Sequence, residues 1–166
     1  MEQNLSHILM KRGIEHIVVM PDSLNALFLK KLYKENTSID IIQGLNETDV
    51  ITICSGFNLM GSPAIALMEN SGIRSIADIL TRLELSHHIH NIFCLTSRGL
   101  IGEDNWWGIR HEVISKEFLQ SLHIPVTFID NYSQFDLALE RCMKTYRTDQ
   151  TSIAICLTPD FYRSLI

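Results

Sequence analysis

One carboxylate stands where it could take part in acid–base chemistry. Glu47 follows an apolar run at residues 39–43 that is typical of a buried strand, and Asn46 can cap a helix that continues through Val50 and Phe57. A carboxylate at the start of a helix complements the helix dipole, which requires no further function. A carboxyl group among apolar neighbours can also hold or transfer a proton. Both interpretations of Glu47 stay open on these residues alone.

Polar side chains also follow three other strand-like runs. They are Asp22 and Ser23 after residues 17–20, Asn70 and Ser71 after residues 63–68, and Arg98 after residues 92–96. Because the carboxyl ends of parallel strands meet at one edge of a sheet, we expect these side chains to share a crevice. An arginine there suits an anionic group. His111 follows the glycine-rich loop that holds Trp106 and Trp107, although taken alone it is more typical of a structural or surface histidine.

The histidines and cysteines do not predict a metal site. His87, His88 and His90 have no carboxylate or cysteine at ligand spacing, and histidines at the end of a helix are also favoured by its negative pole. The four cysteines lie far apart and form no C-x-x-C pair. We therefore expect no metal ligands in this chain.

Apolar runs alternate with helical stretches along the whole chain. Six strands are predicted, at residues 17–20, 39–43, 63–68, 92–96, 126–130 and 153–157. Helices are expected from Leu24, Asn46, Ile76 and Phe135. Strands without polar alternation that are each followed by a helix are typical of a parallel sheet covered on both faces. The sequence thus predicts one doubly wound α/β domain over residues 1–166, with a mostly parallel six-stranded sheet.

Composition and missing motifs exclude several classes of protein. The 166 residues are 46% hydrophobic and 20% charged, which suits one folded core. A net charge of −5 without a long basic run argues against nucleic-acid binding. No signal-like N-terminus or bilayer-length apolar run is seen, so we expect a cytoplasmic protein without membrane contact. The phosphate-loop, dinucleotide and nucleophile-elbow motifs are absent.

Four segments in chain order resemble one enzyme family, and the match covers most of the chain. They are Met20-Pro21-Asp22-Ser23-Leu24, Asn46-Glu47 with Gly56 and Gly61, Met68-Glu69-Asn70-Ser71-Gly72, and Arg98-Gly99 followed by Glu103-Asp104 and His111. Together they resemble the phosphonopyruvate and sulfopyruvate decarboxylases, which depend on thiamine diphosphate (ThDP). The resemblance implies a pyrimidine-binding domain, in which the glutamate matched by Glu47 hydrogen-bonds N1′ of the aminopyrimidine ring.

The resemblance also implies a role for each matched residue. Glu47 and His111 are expected to be catalytic. The expected cofactor-binding residues are Pro21, Glu47, Asn70 and Gly72, and the expected substrate-binding residues are Asp22, Ser23, Ser71, Arg74 and Arg98. The substrate would be a small anionic 2-oxo acid, with an arginine on its acidic group.

Two departures from the family pattern shape this prediction. After Ser71-Gly72 and one further residue, the family usually has Gly-Asn, whereas this chain has Arg74-Ser75. Arg74 therefore offers an alternative anion contact. The second departure is that nothing matches the Gly-Asp-Gly and Asn-Asn sequences with which the family's diphosphate-binding domain holds Mg²⁺. A chain of this length resembles the separate α subunit of split sulfopyruvate decarboxylases. We therefore expect a magnesium-binding β subunit, in an α2β2 or larger heteromer.

Two alternatives to this lyase prediction remain. A ThDP-dependent synthase or ketolase would use the same residues but transfer the enamine to an acceptor. A non-catalytic α/β domain that binds a partner protein would not need a carboxylate at Glu47, although the Arg74-Ser75 change favours it.

Overall fold

Six strands alternate with helices along residues 4–165, the part of the chain that the computed structural model describes. The strands are β1 (His16–Val19), β2 (Asp40–Gln43), β3 (Ala64–Glu69), β4 (Ile92–Thr96), β5 (Val126–Ile129) and β6 (Ile153–Leu157). The helices are α1 (Leu5–Lys11), α2 (Asn25–Lys34), α3 (Glu47–Leu59), α4 (Gly72–Ser75), α5 (Ala77–Thr81), α6 (His111–Ser121), α7 (Phe135–Thr148) and α8 (Pro159–Arg163). A π-helical turn (Arg82–Ser86) extends α5, and a 3₁₀ turn (Tyr132–Gln134) precedes α7.

The strands form one sheet in the order β2-β1-β3-β4-β6-β5, and all five neighbouring pairs are parallel. At its centre, Ile65 pairs with Ile92 and Leu67 pairs with Cys94. The predicted fold class is confirmed, and each predicted strand lies within one residue of its observed position at either end.

Side-chain alternation divides the core between the two faces of the sheet. Along β3, Ile65 and Leu67 face a cluster with residues of α1, α2, α7 and α8, whereas Ala66 and Met68 face a second cluster with residues of α3, α5 and α6. Helices therefore cover both faces, which explains why β3, β4 and β6 are apolar at almost every position.

Four helices have no counterpart in the sequence prediction. The helices α1, α4 and α8 have seven, four and five residues, too few for a clear 3.6-residue period. The helix α6 is long enough, but Glu112 and Ser115 lie on its buried side while Val113 and Ile114 are exposed. Its burial pattern thus opposes the usual amphipathic pattern.

The strand order reverses at the centre of the sheet: β2 is added on one side of β1, and β3 is added on its other side. Beyond β1 the chain enters α2 on one face of the sheet, and beyond β3 it enters α4 and α5 on the other face. Connections that leave neighbouring strands toward opposite faces open a crevice at the carboxyl ends of those strands. The crevice lies where the sequence places its polar turns. Within residues 4–165, no helix combines the length and apolarity required to cross a bilayer.

Candidate functional site

Glu47 is the first residue of α3, beyond the carboxyl end of β2. Asn46 Oδ1 accepts the N–H of Asp49 at 3.0 Å, and Asp49 Oδ2 accepts the N–H of Leu45 at 3.1 Å. These reciprocal caps satisfy backbone donors that every helix start leaves free. They also fix the direction in which α3 leaves the sheet, so the half-buried Glu47 side chain starts from a rigid backbone.

Gly72 lies directly against the Glu47 side chain. An ideal Cβ on Gly72 would be only 2.6 Å from Glu47 Cγ and 3.0 Å from its Oε1, so any larger residue would displace the Glu47 side chain. Among residues 4–165, none makes a hydrogen bond or ion pair with the Glu47 carboxylate. This acidic group is therefore confined by backbone on one side and free to bind a ligand on the other.

Asn70 joins the ends of β3, β4 and α6. Its side chain is 1% exposed, and its Nδ2 donates to the Arg98 carbonyl at 2.9 Å and to Glu112 Oε2 at 3.0 Å. Its Oδ1 accepts the N–H of Arg98 at 3.2 Å, and its carbonyl accepts Ser115 Oγ–H at 2.8 Å. The polar atoms of this side chain are thus engaged within the protein, and Asn70 holds three elements in register.

Arg98 follows β4 and reaches across the crevice toward the turn after β1. Its Nη2 donates to Ser23 Oγ at 2.8 Å, and its guanidinium lies over the Trp107 ring at 5.6 Å from the centroid. Two carboxylates flank it: Glu69 Oε2 lies 3.6 Å from Nε, and Glu103 Oε1 lies 3.8 Å from Nη1. The positive charge of Arg98 is therefore compensated within the chain.

His111 opens α6 and faces the same carboxylate. Its Nδ1 lies 3.8 Å from Glu69 Oε1, and its ring is tilted against Trp107 at 6.3 Å between centroids. The preceding residue, Arg110, has a left-handed backbone with φ 72°, which turns the chain from the loop into the helix. The sequence analysis quoted Glu69 in a matched segment but predicted no role for it. Its position at the end of a buried strand, beside Asn70, could have indicated that it belongs to the site.

Unsatisfied buried polar atoms concentrate at this edge of the sheet. Several buried side-chain atoms within residues 4–165 lack a hydrogen bond, and three of them follow β1 or β4 or open α6. These three are Asp22 Oδ2, Arg98 Nε and His111 Nδ1. Because most buried polar groups in folded proteins are paired, such a concentration indicates a site for ligand contacts.

Two further acidic residues belong to the site: Glu112, which the sequence analysis missed, and Glu103, which it quoted in a matched segment without giving it a role. Glu112 lies on the buried face of α6 beside Asn70, and burial raises the pKa of its carboxyl group. Burial acts in the same direction on Glu103, but the N–H groups of Gly99 and Asn105 donate to its carboxylate at 3.0 and 3.1 Å and hold its pKa below the usual value. Glu103 thus remains an anion that organises the loop and faces Arg98.

The other predicted residues take different positions at this edge. Asp22 Oδ1 caps the start of α2 by accepting the N–H groups of Leu24 and Asn25 at 2.7 and 3.0 Å. Ser71 donates to Glu69 Oε1 at 2.5 Å. The half-buried Arg74 donates from Nε to the Ser71 carbonyl at 3.5 Å, and Pro21 is exposed.

Seven of the predicted residues therefore form two groups. The first group is linked directly or through Glu69 and consists of Ser23, Asn70, Ser71, Arg98 and His111. The second group is the contact between Glu47 and Gly72. A cavity of about 330 Å³ lies beside the first group, between the loop of residues 98–105 and α8. Its lining includes Arg98, Glu103 and Tyr162. It is large enough for a small organic ligand.

No metal centre accompanies this arrangement in residues 4–165: no group of three or more His, Cys, Asp or Glu side chains is placed to hold an ion. His90 instead lies 3.3 Å from the buried carboxylate of Glu84, beside the amino ends of the strands. His87 and His88 are exposed.

Comparisons with known proteins give a structural relative. No family profile and no curated protein matches the sequence. The fold is similar to the solved structure of a thiamine diphosphate-dependent 4-hydroxybenzoylformate decarboxylase from Rhodococcus jostii RHA1, with a TM-score of 0.74 and 15% sequence identity. The match covers 96% of this chain but 29% of that protein. This chain therefore shares the fold of one part of a ThDP-dependent decarboxylase.

Proposed function

We propose that this chain is the pyrimidine-binding α subunit of a ThDP-dependent 2-oxo acid decarboxylase. The observation that carries the proposal is the Glu47 carboxylate, which is half-buried at the start of α3, confined by Gly72 and without a partner among residues 4–165. A structural carboxylate would be expected to have an internal partner or to extend into solvent. The structural relative supports the same class of enzyme through its fold.

The residues present fit an aminopyrimidine ring. A ring nitrogen such as N1′ needs a carboxyl group with which to share a proton, and Glu47 offers one whose position the helix cap and Gly72 restrict. When bound, ThDP supplies a thiazolium ring that accepts the electrons released in decarboxylation. The part of Glu47 in this chemistry is to hold the proton at N1′. A fixed position matters because proton transfer requires hydrogen-bond distance.

The substrate would contact Arg74 and His111. Arg74 is the better candidate for an acidic group of the substrate, because its charge has no carboxylate partner among residues 4–165, whereas two carboxylates flank Arg98. In this proposal Arg98 holds Ser23 and the turn after β1 in place. His111 would donate to or orient the carbonyl of the substrate. Asn70 would act by positioning, since its side chain is engaged internally.

Diphosphate and Mg²⁺ would be held by a second subunit. The chain has no Gly-Asp-Gly motif, and residues 4–165 provide no cluster of metal ligands. ThDP would then lie between the two subunits, with only its pyrimidine end on this chain. We therefore expect the chain alone to bind ThDP and Mg²⁺ weakly in calorimetry, and a companion chain that carries Gly-Asp-Gly and Asn-Asn to restore binding. Tight magnesium-dependent binding by the chain alone would contradict the split-subunit proposal.

The role of Glu47 is tested by the Glu47→Gln variant in the complex with its companion. Glutamine keeps the size and one hydrogen bond but cannot share the proton in the same way. NMR-monitored exchange of the thiazolium C2 hydrogen with deuterium should slow by ~10²–10⁴-fold, the usual contribution of acid–base catalysis, while ThDP still binds. Glu15→Gln, at an exposed carboxylate next to the amino end of β1, is the matched control. Unchanged exchange in Glu47→Gln would reduce Glu47 to a residue that complements the helix dipole.

A further inference from the structure

Two buried side-chain nitrogen atoms converge on the carboxylate of Glu69. His111 Nδ1 lies 3.8 Å from Oε1, and Arg98 Nε lies 3.6 Å from Oε2. Both nitrogen atoms are buried and have no hydrogen-bond partner. They arrive from different elements, one from the start of α6 and the other from the loop after β4. Glu69 is the carboxylate that both of them face.

Both distances are longer than a hydrogen bond, but only slightly. A movement of about 1 Å would bring the carboxylate within the usual 2.7–3.2 Å of either nitrogen. Ser71 donates to Oε1 at 2.5 Å and thereby anchors Glu69 in the turn. The Glu69 side chain is 19% exposed, so little solvent competes for these contacts.

The position of His111 adds an electrostatic reason for this contact. The first residue of a helix lies at the positive end of the helix dipole, and the guanidinium of Arg98 approaches the same carboxylate. A carboxylate is favoured at this end of a helix, and Glu69 Oε1 lies 3.8 Å from Nδ1 of the ring at that position.

We propose that Glu69 is a positioning residue that accepts Nδ1–H of His111 and so fixes both the orientation and the tautomer of its ring. In the neutral ring Nε2 is then unprotonated, so it must take up a proton before it can donate to the carbonyl of a substrate. In histidine sites, the hydrogen bond of one ring nitrogen decides the protonation of the other. This inference deepens the proposed function, on which it rests for the molecule that Nε2 contacts, but the Glu69–His111 contact itself requires no cofactor.

The tautomer is measured on the full chain without ThDP. Long-range ¹H–¹⁵N NMR of ¹⁵N-histidine-labelled protein, at alkaline pH where imidazole is neutral, distinguishes protonated from unprotonated ring nitrogens. The chain has seven histidines, and loss of signals in His111→Gln assigns the relevant ring. We expect wild-type His111 to be protonated at Nδ1, with Nε2 bare.

Substitutions then separate positioning from a general structural effect. Glu69→Ala removes the acceptor, so His111 should shift largely to the Nε2–H tautomer. Glu69→Gln retains a carbonyl oxygen and should preserve the Nδ1–H form. Glu117→Ala removes an exposed carboxylate of α6 and should change nothing. Circular dichroism reports whether each variant folds.

The wild-type spectrum keeps the inference falsifiable even if Glu69→Ala does not fold. An Nε2–H tautomer of His111 in wild type would overturn it, and so would an unchanged Nδ1–H form in a folded Glu69→Ala variant. Because ThDP is absent, such a result would leave the role of Glu47 intact. Conversely, a normal C2 exchange rate in Glu47→Gln would overturn the proposed function and leave the Glu69–His111 contact standing.

Discussion

The contact between Gly72 and Glu47 predicts that adding one methyl group at Gly72 impairs cofactor activation without unfolding the chain. A Cβ at Gly72 would lie 2.6 Å from Glu47 Cγ, whereas ordinary contacts begin at 3.4 Å. The Glu47 side chain must therefore move by about 0.8 Å, the difference between these two distances. Misplacement of a catalytic group by about 1 Å can cost ~10²-fold in rate. We expect Gly72→Ala to slow C2 hydrogen exchange by roughly 10–100-fold in the complex.

Stability should change little in the same variant. Gly72 is not among the glycines with a positive φ, so alanine fits its backbone and, apart from the contact with Glu47, stabilises by about 0.4–1 kcal/mol through the lower entropy of the unfolded chain. The side chain that must yield is a flexible glutamate, not backbone. The free energy of unfolding, measured by urea titration, should thus stay within about 1 kcal/mol of wild type.

A matched glycine distinguishes a local displacement from a general effect of alanine. A Cβ on Gly56, in α3, would meet nothing within 4 Å, so Gly56→Ala should leave exchange unchanged. If Gly72→Ala exchanges at the wild-type rate while Glu47→Gln is slow, the carboxylate can reach N1′ from a displaced position. The reasoning from this contact would then be wrong.

Three further predictions concern binding and stability. Arg74→Lys should raise the KM of the assembled enzyme more than Arg98→Lys, because the charge of Arg98 is already compensated; equal effects in steady-state kinetics would contradict this. Asn70→Leu should lower the free energy of unfolding by about 2–4 kcal/mol in urea titrations, since it leaves buried partners unpaired; a loss below about 1 kcal/mol would contradict the role of Asn70 in joining β3, β4 and α6. Burial raises the pKa of Glu84 from 4.5, the ordinary value of a glutamate, to about 7. The protonated carboxyl therefore stabilises the fold fully below about pH 4.5, and this stabilisation is lost as the pH rises through 7. Compared with Glu84→Gln, wild type should lose about 1–3 kcal/mol between pH 5 and 8, and parallel pH profiles would exclude the effect.

The sequence predicted the sheet well because its strands β3, β4 and β6 are buried on both faces. Continuous apolar runs such as β4 and β6 have one interpretation when helices follow them, and the observed strands confirm it. Helix α6 escaped prediction because its buried side carries Glu112 and Ser115, which pair with Asn70 and not with apolar residues. Local periodicity cannot show a polar contact across elements.

The site was predicted as a location and only in part as a set of contacts. Strand ends identified Ser23, Asn70 and Arg98, and the structure brings these three together. The compensation of Arg98 by Glu69 and Glu103 depends on distances between loops that sequence spacing does not give. The same holds for Gly72, whose closeness to Glu47 arises from the packing of α4 against α3.

The hydrogen bonds of the Asn70 side chain have a consequence for how this crevice can evolve. One amide group serves the backbone of Arg98 and the carboxyl of Glu112, while Glu69, its neighbour in the chain, faces the side chain of Arg98. Residues that share partners in this way show non-additive mutational effects. A change of ligand specificity that begins with a substitution at one of them would first produce a less stable variant, because its partners would be left unpaired. New specificities should therefore arise more readily at Arg74, whose side chain lies outside this network.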